Sequence, residues 1–284
     1  MKRTTIWLGV GVAVVAGGAP AAQAGNADLL NATAISSASS SVQSLPASAL
    51  VLAQNAQGQG GENESGEGGI DAAVADKDPV KYGVALQVIA AHYHAGLAAY
   101  EAGETEAGTQ MFAHGHAEVY AEMEDVFKKR GVTDLGTKIE AAVAAANKKV
   151  PAAEVRKIVQ EVYAALAAAE KAGPKSALSP LAVKAQVVGD MLDRAAAQYV
   201  LTLKKDSTLE TYLDGLGFAL AARAEGQAIL PELEKRNPAA AKAIRAALEI
   251  AAAAYPGIKK GVPVEVPRFL AAASAARIAT ANLR

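Results

Sequence analysis

From Asp78 to the end of the chain, the sequence is a nearly unbroken series of helix-forming stretches separated by Gly and Pro. Alanine dominates these stretches, and apolar residues recur at spacings of three and four. No sustained run alternates apolar and polar residues as a half-buried strand does. Because Gly and Pro fall mainly where helices end or begin, the pattern predicts an all-α fold.

The positions of Gly, Pro and capping residues predict eight helices. Asp78 followed by Pro79 is typical of a helix start, and the stretch from Ser207 to Glu210 has the pattern of a capping box. The predicted helices cover about 78–100, 105–130, 134–149, 151–172, 179–204, 207–236, 237–255 and 267 to near the C-terminus.

The predicted helices contain an internal similarity. The segment LQVIAAHYHAGLAAY (86–100) aligns without a gap with AQVVGDMLDRAAAQY (185–199). Further along, FKKRG (127–131) matches LEKRN (233–237), each just before a new helix. The similarity predicts two pseudo-repeated four-helix units, covering 77–173 and 178–284.

The first residues have the pattern of a secretory signal peptide. A basic MKR start precedes an apolar run, and small residues at Ala22 and Ala24 predict cleavage after residue 24. Residues 25–76 are rich in Ser, Gln and Gly, which predicts a disordered linker with an acidic end. We therefore expect a periplasmic or secreted protein with no transmembrane segment after cleavage.

The formal net charge of −1 argues against a nucleic-acid partner.

All four histidines fall in one predicted helical hairpin. His92 and His94 lie on its first helix, and His114 and His116 lie on its second. On an α-helix, residues two apart point about 160° from each other, so an i, i+2 pair cannot bind one ion. At 100° per residue, His116 lies in the apolar stripe, His92 lies beside its own stripe, and the other two histidines turn toward solvent.

Antiparallel packing of this hairpin would bring one histidine from each helix together. His92 lies 11 residues before Gly103, and His116 lies 13 after it, so the two are within about one helical turn of the same level. A glutamate of the second helix would complete a His/His/carboxylate metal site, as in other helical bundles. The candidate metal ligands are His92, His116, Glu118, Glu122, His94 and His114.

The donor types leave the metal open. Imidazole and carboxylate suit Fe, Cu and Zn alike. Core packing and surface exposure also explain histidines on helices, so a metal-free interaction or structural protein is an alternative. A non-covalent haem binder that uses one histidine is a second alternative, because the chain lacks a Cys-containing attachment motif.

An exported, duplicated, all-helical chain with His and Glu on its second helix resembles the imelysin family of periplasmic proteins. The nearest match to that family's Gly-x-His-x-x-Glu motif is HGHAEVYAE, in which Gly115 adjoins His116 and the glutamates follow at +2 and +6. The resemblance implies two helical bundles and a link to bacterial iron acquisition.

Together these observations predict an exported helical metal-binding protein that handles iron or copper. Its expected partners are the metal ion and a membrane transport component. No nucleophile is convincingly placed beside a histidine, so we expect binding rather than catalysis.

Overall fold

The computed structural model describes residues 69–284, which fall within one compact unit of the chain, Glu62–Arg284. These residues form helices and no strand, which confirms the all-α prediction. The predicted signal peptide (1–24) and residues 25–68 of the predicted linker lie outside the described residues.

Residues 69–76, the end of the predicted linker, are folded against the first helices. A single turn, α1 (Ala72–Ala75), is capped by the Asp71 carboxylate, which accepts two backbone N–H bonds. Asp76 then forms ion pairs with Lys129 and Arg130. Residues 69–76 are therefore folded, although their composition predicted a linker.

The first set of helices follows the predicted boundaries closely. Pro79 opens α2 behind the N-cap Asp78, whose carboxylate accepts the N–H groups of Val80 and Lys81. The second predicted helix is one continuous helix with a π-helical centre. The elements are α2 (Pro79–Glu101), α3 (Thr105–His114), the π segment (Gly115–Tyr120), α4 (Ala121–Lys129), α5 (Asp134–Asn147) and α6 (Ala152–Lys171).

The second set also begins and ends near the predicted positions. Ser179 caps its first helix, and the cap of the next is Thr208 rather than Ser207, because the Thr208 hydroxyl accepts the Thr211 N–H. The elements are α7 (Pro180–Thr202), α8 (Leu209–Arg236), α9 (Pro238–Ala254) and α10 (Val266–Ala281).

Each set packs in chain order and closes on itself. In the first set α2 contacts α3, the continuous α3–α4 helix contacts α5, α5 contacts α6, and α6 returns to α2. In the second set α7 contacts α8, α8 contacts α9, α9 contacts α10, and α10 returns to α7. Helix α2 also packs against α7 and α8, so it lies in the interior, where the two sets meet.

Aromatic rings fill the core of the second set. Phe269 of α10 is fully buried, and its ring centroid lies 5.7 Å from that of Tyr199 and 6.5 Å from that of Tyr255. The Tyr255 hydroxyl donates to the Ala195 carbonyl on α7. These contacts join α7, α10 and the α9–α10 connection around one ring.

Within residues 69–284, no helix combines the length and the apolar character that crossing a bilayer requires.

We predict that Phe269→Ala will lower the free energy of unfolding by about 3–5 kcal/mol, because the cavity left among the aromatic rings cannot collapse fully. Ile278→Ala, on the same helix but with the side chain 70% exposed, is the matched control and should cost less than about 0.5 kcal/mol. Urea denaturation followed by circular dichroism measures both. Equal losses in the two variants would contradict the packing described here.

Candidate metal centre

Two glycines bring neighbouring helices against adjacent residues of α2. A Cβ at Gly115 would lie 3.2 Å from the His92 Cβ, and a Cβ at Gly217 of α8 would lie 2.5 Å from the Ala91 carbonyl oxygen. A distance as short as 2.5 Å is sterically forbidden, so only glycine allows α8 to approach this closely. The α3–π junction and α8 therefore both meet α2 at the level of His92.

This approach brings together two histidines and an aspartate from three helices. His92 comes from α2, His114 from the end of α3, and Asp214 from the first turns of α8. One ligand atom of each lies within 4.8 Å of the others. The rings of the two histidines meet edge to face, with centroids 6.3 Å apart. We call these three residues the histidine–aspartate cluster.

The hydrogen bond of His92 fixes its tautomer. Nδ1 lies 2.9 Å from the Val88 carbonyl oxygen, which only accepts, so Nδ1 carries the proton and donates. In the neutral ring, Nε2 then has the lone pair that a metal ion binds. A ring held in this way by a backbone carbonyl is the usual arrangement of a metal-binding histidine.

Two glutamates lie beside the cluster. Glu118 of the π segment has one carboxylate oxygen 3.8 Å from His92 Nε2 and the other 3.9 Å from His114 Nδ1. Glu210, in the first turn of α8, lies 3.3 Å from His114 Nε2. With Asp214, three carboxylates therefore face two imidazoles, which favours a bound cation.

Exposure increases from one side of the cluster to the other. His92 and Asp214 are buried. The side chains of His114 and Glu118 are 27% and 24% exposed, and Glu210 is 48% exposed. An ion held here would have a buried inner side and an outer side open to water.

The spacing of the donors suits a transition-metal ion. Ions of this class hold nitrogen and oxygen ligands at about 2.0–2.2 Å, which places the ligand atoms ~3–3.4 Å from one another. The donors of the cluster lie within 4.8 Å, so side-chain shifts below about 1 Å would close the shell. The residues present therefore fit such an ion.

The other predicted ligands lie apart from this cluster. The His116 ring stacks on Tyr120, with centroids 5.6 Å apart. His94 is half-buried rather than turned to solvent, stacks on Tyr163, and has its Nδ1 3.0 Å from the Tyr163 hydroxyl. Glu122 is exposed. Of the six predicted ligands, the structure brings together His92, His114 and Glu118.

The π segment explains why counting 100° per residue placed His116, and not His114, on the apolar face of the helix. A π-helix turns by less than 100° per residue, so positions after its start fall behind the α-helical phase. The buried residue one turn after Phe112 is Gly115, and His116 is displaced to a half-buried flank. His114 lies just before the π segment. The expectation that it faces away from the cluster is wrong, because it took the angular phase of this helix from an apolar stripe that continues past the π segment.

Asp214 was not predicted as a metal ligand, because it lies in the second helical set, about a hundred residues from the histidine hairpin. The sequence nevertheless contains a local indication of its role. TYLDGLGF (211–218) places one carboxylate in an apolar helical stretch beside two glycines. The close approach of Gly217 to the Ala91 carbonyl shows that this Gly-rich stretch allows close helix packing. A charged residue buried at such a contact is itself an indication of a site.

Two surface clefts lie elsewhere on the described residues. One, of about 390 Å³, lies between the start of α2 and the end of α10, beside Asp190 and Arg277. The other, of about 640 Å³, lies between α5 and α6. Neither is lined by a residue of the histidine–aspartate cluster.

No family model, curated protein or solved structure matches this chain. The case for a function therefore depends on the geometry of the cluster.

His94 gives a pH-dependent prediction. Burial, with a smaller contribution from the Arg223 charge, lowers the pKa of His94 to about 4, whereas an unfolded histidine titrates near pH 6.5. Between these values the unfolded chain binds a proton that the folded chain does not. The free energy of unfolding should therefore fall on acidification, by up to ~3 kcal/mol from this residue.

Urea denaturation of metal-free wild type and His94→Gln at several pH values from 7 to 4 measures this contribution. The variant should lose the His94 part of the slope and keep the part that arises from carboxylates. Identical slopes in both proteins would contradict the prediction.

Proposed function

We propose that this is an exported helical protein that binds one divalent transition-metal ion through His92, His114 and Asp214, with Glu118 as a further ligand. One observation carries the proposal: ligand atoms from three separate helices lie within 4.8 Å of one another. Two imidazoles and a carboxylate at this spacing match the donor sets that proteins use for such ions.

The position of the cluster also supports a role in binding. Buried carboxylates in proteins are paired or bind metals, and Asp214 is 4% exposed beside two imidazoles. The glycine contacts that hold α3 and α8 against α2 fix the ligands before any ion arrives. This preorganisation lowers the cost of assembling the site.

The donor set favours borderline ions such as Fe²⁺ and Zn²⁺, and Cu²⁺ also fits. Soft Cu⁺ prefers sulfur ligands, and the three residues of the cluster supply none.

The outer side of the cluster bears Glu118 and Glu210, which are partly exposed, so an ion could be loaded and released there. These features suit an ion that is carried and exchanged, in line with a role in iron or copper handling.

We also propose that the two helical sets are the products of a duplication. The same closed order of contacts in both sets and the aligned segments 86–100 and 185–199 support this origin. Export through a signal peptide and the resemblance to the imelysin family remain part of the proposal. On this view the metal ligands come from both copies, because Asp214 belongs to the second.

Metal binding to the full-length protein tests the function. We predict that isothermal titration calorimetry will detect one site for Zn²⁺, and for Fe²⁺ under anaerobic conditions. Asp214→Ala and His92→Ala should each weaken it at least about 100-fold, because each removes a direct ligand. Mass spectrometry of the purified protein measures the native metal.

His116→Ala and Glu122→Gln are the matched controls, since both residues were candidates in the sequence and lie apart from the cluster. They should leave the affinity within about threefold of the wild type. A greater loss in His116→Ala than in Asp214→Ala would overturn the assignment. The absence of any metal site in the wild type would instead favour the metal-free structural protein.

Metal should also stabilise the fold, because the ligands exist together only when both helical sets are in place. At a free-metal concentration 100 times the dissociation constant, we expect about 2.7 kcal/mol of added stability. Thermal unfolding with and without Zn²⁺ measures this gain. In Asp214→Ala the same metal concentration should add no more than about 0.4 kcal/mol, because the affinity is at least about 100-fold weaker. An equal rise in melting temperature there would place the ion elsewhere.

A further inference from the structure

Two loops at one end of the second helical set carry similar sequences. The α7–α8 loop begins Leu203-Lys204-Lys205, and the α9–α10 loop contains Ile258-Lys259-Lys260 followed by Val262. Direct contacts join them: the Lys260 ammonium donates to the Thr202 carbonyl at 3.1 Å and lies 3.4 Å from the Ser207 hydroxyl. The two loops therefore form one surface.

This surface combines aliphatic side chains with positive charge. Of the five large apolar residues most exposed in the described chain, Leu203, Leu209 and Val262 lie here, and Val262 is 86% exposed. All four lysines are exposed as well. We call the following residues the lysine end: Leu203, Lys204, Lys205, Leu209, Lys259, Lys260 and Val262.

The charges of the two loops leave an excess of positive charge. Against the four lysines stand Asp206 and Glu265, so the loops carry a formal net charge of about +2, while the whole chain carries −1. The surface is therefore complementary to an anionic partner.

The composition favours a lipid surface over a protein partner. Protein interfaces are enriched in aromatic residues and Arg and depleted in Lys. The lysine end has the opposite composition, with exposed aliphatic side chains and lysines in the same two loops. Peripheral membrane proteins use this combination, in which aliphatic groups enter the headgroup region and lysines attract anionic lipids.

We propose that the lysine end docks on the surface of an anionic phospholipid bilayer. The surface adjoins the metal centre along α8, because Leu209 directly precedes Glu210, whose carboxylate lies 3.3 Å from His114 Nε2. Docking would place the outer, partly exposed side of that centre close to the bilayer. The docking proposal itself does not depend on metal binding.

Co-sedimentation of the full-length protein with vesicles tests the proposal. The wild type should bind phosphatidylcholine vesicles that contain phosphatidylglycerol, should bind pure phosphatidylcholine far less, and should be released by salt. Lys204→Glu with Lys205→Glu should weaken binding at least about 30-fold, since each lysine contributes on the order of fivefold. Leu203→Ser with Val262→Ser should weaken it about tenfold.

A second lysine pair in the chain is the matched control. Lys148 and Lys149 are exposed between α5 and α6, on the first helical set. Lys148→Glu with Lys149→Glu makes the same change of charge and should alter vesicle binding less than about threefold. Circular dichroism and thermal unfolding establish that all variants remain folded.

Four outcomes would overturn the proposal: no binding of the wild type to anionic vesicles, equal binding to neutral vesicles, an equal loss in the control pair, or no loss in the lysine-end variants. Sedimentation velocity supplies one more measurement. If the Leu203→Ser, Val262→Ser variant is monomeric where the wild type is dimeric, the surface is a contact between copies of the chain and the lipid proposal fails.

Discussion

Close backbone contact along α2 is the constraint on which the other features depend. This helix packs against members of both helical sets, and small residues line its contacts. Gly115 and Gly217 let two helices approach it at His92 and Ala91. Larger side chains at either glycine would separate the helices that supply His114 and Asp214. The same contacts therefore join the two sets and assemble the candidate metal centre.

The all-α class and the helix boundaries were predictable because their signals are local. Caps such as Asp78 and Ser179, and Pro and Gly between helices, set the boundaries to within a few residues. The main departure lies at 69–76, where composition indicated a linker. There Asp76 forms ion pairs with Lys129 and Arg130, more than fifty residues away, and composition cannot reveal such distant partners.

The candidate site was only partly predictable, for two physical reasons. Counting 100° per residue placed His92 beside its apolar stripe, and the structure finds this residue buried against the α3–π junction. The same count gave wrong orientations for His114 and His116, because a π segment changes the angle between successive residues of the helix. Asp214 could not be predicted as a ligand, because no local pattern indicates which helix of the second set packs on α2. Long-range packing decides the members of a site built from several helices.

The π segment changes the angular register of its helix, so the part before it and the part after it direct different faces toward the core. Upstream, α3 is oriented so that His114 meets the cluster. Downstream, α4 is oriented so that Met123 and Phe127 fill the core. One residue removed between 115 and 120 would restore a uniform α-helix and rotate one end by about 100° relative to the other. Both faces therefore depend on the one extra residue that the π segment contains, which links the geometry of the histidine–aspartate cluster to the packing of the core.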